Sequence, residues 1–234
     1  MSSWTPTRPA AHDPADADRR FVAYAAHELR GEIALQRALA EVALGDPNAD
    51  RTALREMGQR VVVACERQER LLAALLTLSR SRWGRLPREP VDLAATAAEV
   101  LRANDHDGLT STMGLEPAWT RGDPQLLERL VANLVANAIR HNVAGGRFDI
   151  ATDTAAGRAV LTIANTGPVI PPGELARLFQ PFQRLGARRG CAAEGAGLGL
   201  AIVQAIVTSH DASLTAQPRT GGGLRIDVAF AGLD

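Results

Sequence analysis

The chain has 234 residues, a length that admits one or two domains with a sizeable buried core. Its 46% hydrophobic and 22% charged residues exclude a wholly disordered or collagen-like chain. The 26 basic residues balance 26 acidic ones, so charge gives no reason to expect a nucleic acid or an acidic membrane as partner.

Every basic residue is Arg, which excludes P-loop and Schiff-base lysine chemistry. Cys65 and Cys191 lie far apart and outside any CxxC pattern, so a disulfide framework is excluded and structural zinc is not expected. The longest apolar runs, 71–78 and 198–207, fall short of the roughly 20 residues of a membrane span, and the N-terminus lacks the apolar stretch of a signal peptide. A soluble, cytoplasmic chain without membrane contact is expected.

Residues 1–18 mix Pro, Ala and Asp, offer little for a core, and read as a disordered leader. From there Val22, Ala26, Leu29, Ile33, Gln36 and Ala40 step by alternating fours and threes, a helix that Gly45-Asp46-Pro47-Asn48 ends. Leu54, Met57, Val61, Ala64, Gln68, Leu71, Leu75 and Leu78 then alternate threes and fours, the spacing of a coiled-coil seam. Two amphipathic helices joined by a short turn make an antiparallel hairpin over 19–83. A homodimeric four-helix bundle buries its outer apolar faces economically; packing on the chain's own C-terminal part is the alternative.

Residues 84–90 hold Gly and Pro breaks and read as a linker. Beyond them the pattern turns to mixed α and β. It predicts helices over 91–103, 124–141 and 198–210, and strands near 148–152, 159–164, 213–216 and 224–230. The fold class is therefore a helical hairpin followed by an α/β sandwich domain over 91–234.

Three features of the second domain carry chemistry. Gly195-Ala196-Gly197-Leu198-Gly199-Leu200 precedes an apolar helix, where glycines let backbone N–H groups approach a phosphate and the helix N-terminus adds positive potential. Such turns are common, and this one alone decides nothing. It is no Rossmann turn, lacking the following strand and acidic residue, and no Walker loop, lacking Lys. Asn133, Asn137, Arg140 and His141 lie at i, i+4, i+7 and i+8 of a helix; Asn oxygens suit a hard cation and Arg and His suit phosphates, while a solvated helix face explains the pattern equally well. Between them come Asn165-Thr166-Gly167 with Ile170 after a strand, and Phe179 and Phe182 beside Arg184.

In this order the segments resemble the ATP-binding domain of sensor histidine kinases, members of the Bergerat-fold ATPases, whose N, G1, F and G2 boxes they match. His210-Asp211-Ala212-Ser213 and Gly221-Gly222-Gly223-Leu224 match the closing strands. The family also places a phosphoacceptor histidine on the first helix of a preceding hairpin, and Ala26-His27-Glu28-Leu29-Arg30 matches that box.

The resemblance implies ATP and Mg²⁺ as cofactors, held between the N-box helix and a lid over about 184–195. Asn137 is then the Mg²⁺ ligand, Arg140 stands where Lys is usual, and His141 and Arg184 contact phosphates. Asn133, Asn165, Gly167, Ile170, Phe179, Gly195, Gly197, Leu198, Gly199 and Leu200 complete the nucleotide site. Neutral His27 attacks the γ-phosphate with Glu28 as base or orienter, and the phosphoryl group passes to an aspartate of a response regulator. The chain could equally be the cytoplasmic part of a membrane-anchored sensor.

Three departures from the family pattern stand out. Asn165 occupies the place of an Asp that accepts from the adenine amino group, and Leu224 that of a neighbouring Thr. Restoring Asp at 165 is therefore expected to tighten ATP binding by about 1 kcal/mol, the difference between a charged and a neutral acceptor. In the H-box, Gly31-Glu32 replaces Thr or Asn followed by Pro; Gly31, one turn after His27, has no side chain to orient a water, which predicts weak phosphatase activity. Two other readings are a catalytically weak pseudokinase scaffold, kept open by Asn165 and Leu224, and an ATP hydrolase, disfavoured because Asn133 stands where such enzymes need a basic Glu.

Overall fold

Polar and apolar residues alternate along the C-terminal strands, and this alternation decides which sheet face is buried. The computed structural model describes residues 87–104, 108–171, 173–181, 183 and 197–233 of this part. Of the N-terminal part it describes residues 5, 31, 33–34, 37–38, 40–42, 44–45, 50–52, 54–62, 64–65 and 68. The chain divides into two units, one of Pro9–Leu76 with Glu194–Ala196, the other of the remaining residues.

In the second unit β2 (Thr110–Leu115), β4 (Arg147–Ala155), β5 (Arg158–Asn165), β6 (Ser213–Pro218) and β7 (Leu224–Ala231) form one sheet. Its strand order is β2-β4-β5-β7-β6. Only the β2–β4 pair is parallel, so the sheet is mixed. Phe148, Ile150, Leu161, Ile163, Leu214, Ile226, Val228 and Phe230 are all buried on its inner face. A separate antiparallel ribbon joins β1 (Glu89–Asp92) to β3 (Trp119–Gly122).

Among the described residues three helices complete the layer: α1 (Leu93–Ala103), α2 (Pro124–Arg140) and α3 (Gly199–Ser209). α2 packs against both α1 and α3 and against β5. It starts sharply: Asp123 Oδ1 accepts from the backbone N–H of Gln125 (2.9 Å) and Leu126 (3.2 Å), with Pro124 in the first turn. Asp92 caps α1 in the same way, accepting from Ala94 N at 3.0 Å, and it also accepts from Ala118 N at 3.1 Å.

That cap corrects two boundaries read from the sequence. Val91 and Asp92 are strand, because the helix can begin only after its capping residue. Glu89 and Pro90, read as linker, pair with Gly122 and Arg121, and a two-stranded ribbon has free edges that tolerate a proline. The other helices and the four expected strands lie where the periodicity puts them, within a few residues. β1, β2 and β3 were not foreseen.

In the first unit, the described residues between 31 and 45 and between 51 and 68 are helical. At the seam positions Ala64 is buried and Met57, Val61 and Gln68 are half-buried, whereas Arg55, Glu56, Gln59, Arg60 and Val62 between them are exposed. Ile33 and Leu54, also seam residues, remain 56% and 42% exposed. His27 and Glu28, the leader residues other than Thr5, and residues 69–86 lie outside the described residues. Among the described residues no helix is long and apolar enough to cross a membrane.

Candidate functional site

The apolar stripe of α2 (Leu126, Leu127, Leu130, Val131, Leu134, Val135 and Ala138) is buried, which leaves Asn133 and Asn137 half-buried at its margin. The Asn133 amide donates through Nδ2 to the Arg129 carbonyl at 2.8 Å. Its Oδ1 faces Gly199, where an added Cβ would come within 3.5 Å of it. The Asn-bearing helix and the start of α3 are thus neighbours.

The start of α3 is open. Leu198 is its N-cap, among the described residues no side chain caps it, and the first backbone bond is Ile202 N to Leu198 O. The N–H groups of Gly199, Leu200 and Ala201 therefore present positive potential beside Asn133. Gly197, with φ 66°, supplies the left-handed backbone that turns the chain into this helix. Further along α2, Arg140 and His141 are exposed at its C-terminal end.

The second wall is the turn after β5. Asn165 is 4% exposed, and its Nδ2 donates to the Thr166 carbonyl at 2.7 Å. A carbonyl only accepts, so the amide nitrogen is fixed toward Thr166. Gly167 lies so near the end of α2 that a Cβ there would meet the His141 carbonyl at 2.5 Å. Gly222 and Gly223 press in from the β6–β7 turn: a Cβ on either would strike the Gly167 or Asn165 carbonyl respectively, and Gly223 N donates to Pro168 O at 3.0 Å. Ile170 is buried beyond the turn, and Phe179, in the 3₁₀ turn Ala176–Phe179, is a core residue 2% exposed.

The structure thus brings Asn133 of α2 beside Gly199 and the start of α3, and sets His141 at the end of α2 against Gly167 in the turn that carries Asn165. Arg184, Gly195 and the rest of the expected lid over 184–195 lie outside the described residues. Two residues without a role in the sequence reading, Asn142 and Thr166, join the two walls by a 2.6 Å hydrogen bond. A cavity of about 330 Å³ lined by Arg88, Thr120, Arg121, His210, Ala231, Gly232 and Leu233 touches none of these segments.

The donor set fits a nucleotide with a hard cation. Among the described residues no three His, Cys, Asp or Glu converge on a metal position. The Asn133 amide oxygen beside a helix start without a side-chain cap among the described residues suits a triphosphate with Mg²⁺.

Comparison with known proteins agrees with the nucleotide part of this reading. Residues 122–231 match the family described as "Histidine kinase-, DNA gyrase B-, and HSP90-like ATPase". Sensor protein CutS of Streptomyces coelicolor is 42% identical over 219 residues, covering 92% of this chain and 53% of its own length. The chain therefore spans about half the length of that curated relative. Among solved structures, the mycobacterial sensor histidine kinase MprB is similar at 29% identity and a TM-score of 0.55, over 62% of this chain and 97% of that one. Histidine kinase ThkA, solved in complex with response regulator protein TrrA, shares the fold at 19% identity and a TM-score of 0.67, over 92% and 61%. The chain belongs to the sensor histidine kinases of two-component systems, and residues 122–231 are its ATPase domain.

Proposed function

We propose that this chain is an ATP-dependent protein-histidine kinase that phosphorylates its own His27 and passes the phosphoryl group to a response-regulator aspartate. The observation that carries the nucleotide half is the meeting of Asn133 with Gly199 at an uncapped helix start. In this reading the backbone N–H groups at 199–201 and the side chains of Arg140, His141 and Arg184 hold phosphate oxygens. Asn137 offers its amide oxygen to Mg²⁺, which when bound neutralises phosphate charge and orients the γ-phosphate. Asn165 Oδ1, with Nδ2 already committed to Thr166, accepts from the adenine amino group. Gly197, Leu198, Gly199 and Leu200 form the G2 wall, with Gly167 and Ile170 opposite. Phe179 supports α3 from within the core.

The phosphoryl step needs little from the protein beyond position and charge. Neutral His27 attacks with one ring nitrogen and Glu28 holds the other. Two copies pairing through the hairpin supply the bundle that presents His27. The exposure of the seam residues Ile33 and Leu54 in a single chain supports that pairing. The regulator as partner is carried over from ThkA, whose structure holds TrrA. Gly31 leaves no side chain one turn after His27, which supports weak phosphatase activity.

The test is incubation with γ-labelled ATP and Mg²⁺. Acid-labile label on the wild type, absent from His27→Ala while ATP still binds, is the expected result. Full labelling of His27→Ala overturns the assignment, and phosphate release without labelling shows a hydrolase.

A further inference from the structure

We infer that Asn142 is a positioning residue for the nucleotide site, clamping the end of the Asn-bearing helix to the turn that carries Asn165. This rests on the nucleotide reading above and adds a residue to it. Asn142 follows directly on Arg140 and His141, and Thr166 on Asn165, so the pair stands one residue from each wall of the site.

All polar atoms of the Asn142 side chain are used. Oδ1 accepts from the Thr166 hydroxyl at 2.6 Å and from Val143 N at 3.0 Å. Nδ2 donates to the Arg147 carbonyl at 3.1 Å and to the Ala138 carbonyl, one turn back in α2, at 3.3 Å. One amide therefore ties together α2, the first residue of β4 and the turn after β5. The Thr166 hydroxyl, having given its proton to Asn142, accepts from Arg147 N at 2.8 Å, and Thr166 N donates to Arg147 O at 2.9 Å. The junction has no slack: a Cβ at Gly146 would strike Asn142 Oδ1 and sit 2.5 Å from Thr166 Oγ1.

The consequence is geometric. Asn137 lies on the last turns of α2 and Asn165 at the end of β5, on separate elements. A shift of the α2 end against the turn would separate a phosphate-side contact from the adenine contact, and displacements of about 1 Å are enough to lower rates some 100-fold. The backbone approach of Gly167 to the His141 carbonyl fixes how near the walls come. The Asn142–Thr166 bond fixes their register.

The test compares wild type, Asn142→Ala, Thr166→Val, Thr166→Ser and the Asn142→Ala/Thr166→Val double variant. For each, ATP affinity is measured by calorimetry well below unfolding, KM and kcat by autophosphorylation, and the midpoint by thermal unfolding. Asn142→Ala and Thr166→Val are expected to weaken ATP binding and raise KM by roughly tenfold, with kcat falling less. The double variant should lose less than the sum of the two single losses, since both remove the shared Asn142–Thr166 bond, and Thr166→Ser should bind like wild type because it keeps the hydroxyl. Wild-type affinity in both single variants, additive losses, or equal loss in Thr166→Ser and Thr166→Val overturns the inference. Should Asn142→Ala fail to fold, the Val and Ser variants decide it. A wild type that binds no ATP overturns the nucleotide reading itself, and the inference with it.

Discussion

Asn165 at the end of β5 stands directly opposite Leu224 at the start of β7, and both are buried. The two departures from the family's adenine pocket are therefore one cross-strand pair. Leu224 offers no hydroxyl, and the Asn165 amide donates instead to its neighbour, the Thr166 carbonyl, at 2.7 Å. This geometry favours a prediction opposite to the expectation drawn from charge alone. An Asp at 165 would set a carboxylate oxygen against that carbonyl and beside a leucine side chain, neither of which can donate. Asn165→Asp is predicted to destabilise the domain by about 1–3 kcal/mol, the range for a buried polar group left unpaired, without tightening ATP binding. Adding Leu224→Thr should recover part of the loss. Urea unfolding and ATP titration of the three variants check this, and tighter binding by the single Asp variant would show that the pocket prefers the charge.

Asn137→Ala is predicted to abolish Mg²⁺-dependent autophosphorylation, because phosphate charge then lacks its cation. Asn137 is half-buried at the margin of the α2 stripe, so the truncation opens no core cavity. Unfolding midpoints should move little, which separates loss of function from loss of fold. An active Asn137→Ala protein would place the cation elsewhere.

A second buried polar group governs the response to acid. His210, 4% exposed, directs Nδ1 to the Ile206 carbonyl at 2.9 Å and accepts from Asp123 N through Nε2 at 3.1 Å. It thus links the end of α3 to the start of α2, and the neutral ring with its proton on Nδ1 satisfies both bonds. Burial pushes its pKa below the usual 6.5 and Arg88 adds to this, while the Ile206 carbonyl, Asp123 and Asp211 oppose it. The unfolded chain therefore takes up the proton more readily than the folded one. The stability His210 provides is complete above pH 6.5 and declines as pH falls from there toward the folded-state pKa. Urea midpoints between pH 5 and 7.5 should slope downward toward acid for wild type and be flatter for His210→Gln. Parallel slopes would assign the acid sensitivity to other groups.

Much of this architecture was legible because it is periodic. α2, α3, β4, β5, β6 and β7 each carry a regular apolar repeat, and the structure shifts their ends by only a few residues. The ribbon of β1 and β3 was hidden because four residues with a proline hold too short a pattern. The box residues were legible as a set, in chain order. Their cross-links were not: the Asn142–Thr166 bond spans 24 positions, and the His210–Asp123 bond 87. No local pattern encodes a partner at that distance, and the Asn165 amide orientation depends on a carbonyl that every sequence possesses.

The glycines of the β6–β7 turn separate backbone strain from close approach. Gly221, Gly222 and Gly223 all have φ between 90° and 102°, a region costly for any residue with a Cβ. At Gly221 an added Cβ meets nothing within 4 Å, whereas at Gly223 it would strike the Asn165 carbonyl. Gly221→Ala is predicted to lose about 1–2 kcal/mol from strain alone, and Gly223→Ala several kcal/mol, together with ATP binding. Equal losses in thermal unfolding would mean that the turn moves aside and the contact with Asn165 does not constrain the site.

Gly31 belongs to the first unit. It is helical and exposed, and an added Cβ meets nothing within 4 Å. Gly31→Ala should therefore stabilise the helix by about 1 kcal/mol, the difference in helix propensity between the two residues, without any clash to offset it. Gly31→Thr gains less, because a β-branched side chain is a poorer helix former, but it adds a hydroxyl four positions after His27 in the sequence. If the missing side chain is what limits water orientation, Gly31→Thr should accelerate loss of label from a phosphorylated regulator while Gly31→Ala, equally able to fold, does not. Comparing the two separates a rigidity effect from a hydroxyl effect. Acceleration by Ala as much as by Thr would show that helix stability at this turn, rather than a group that holds water, sets the dephosphorylation rate.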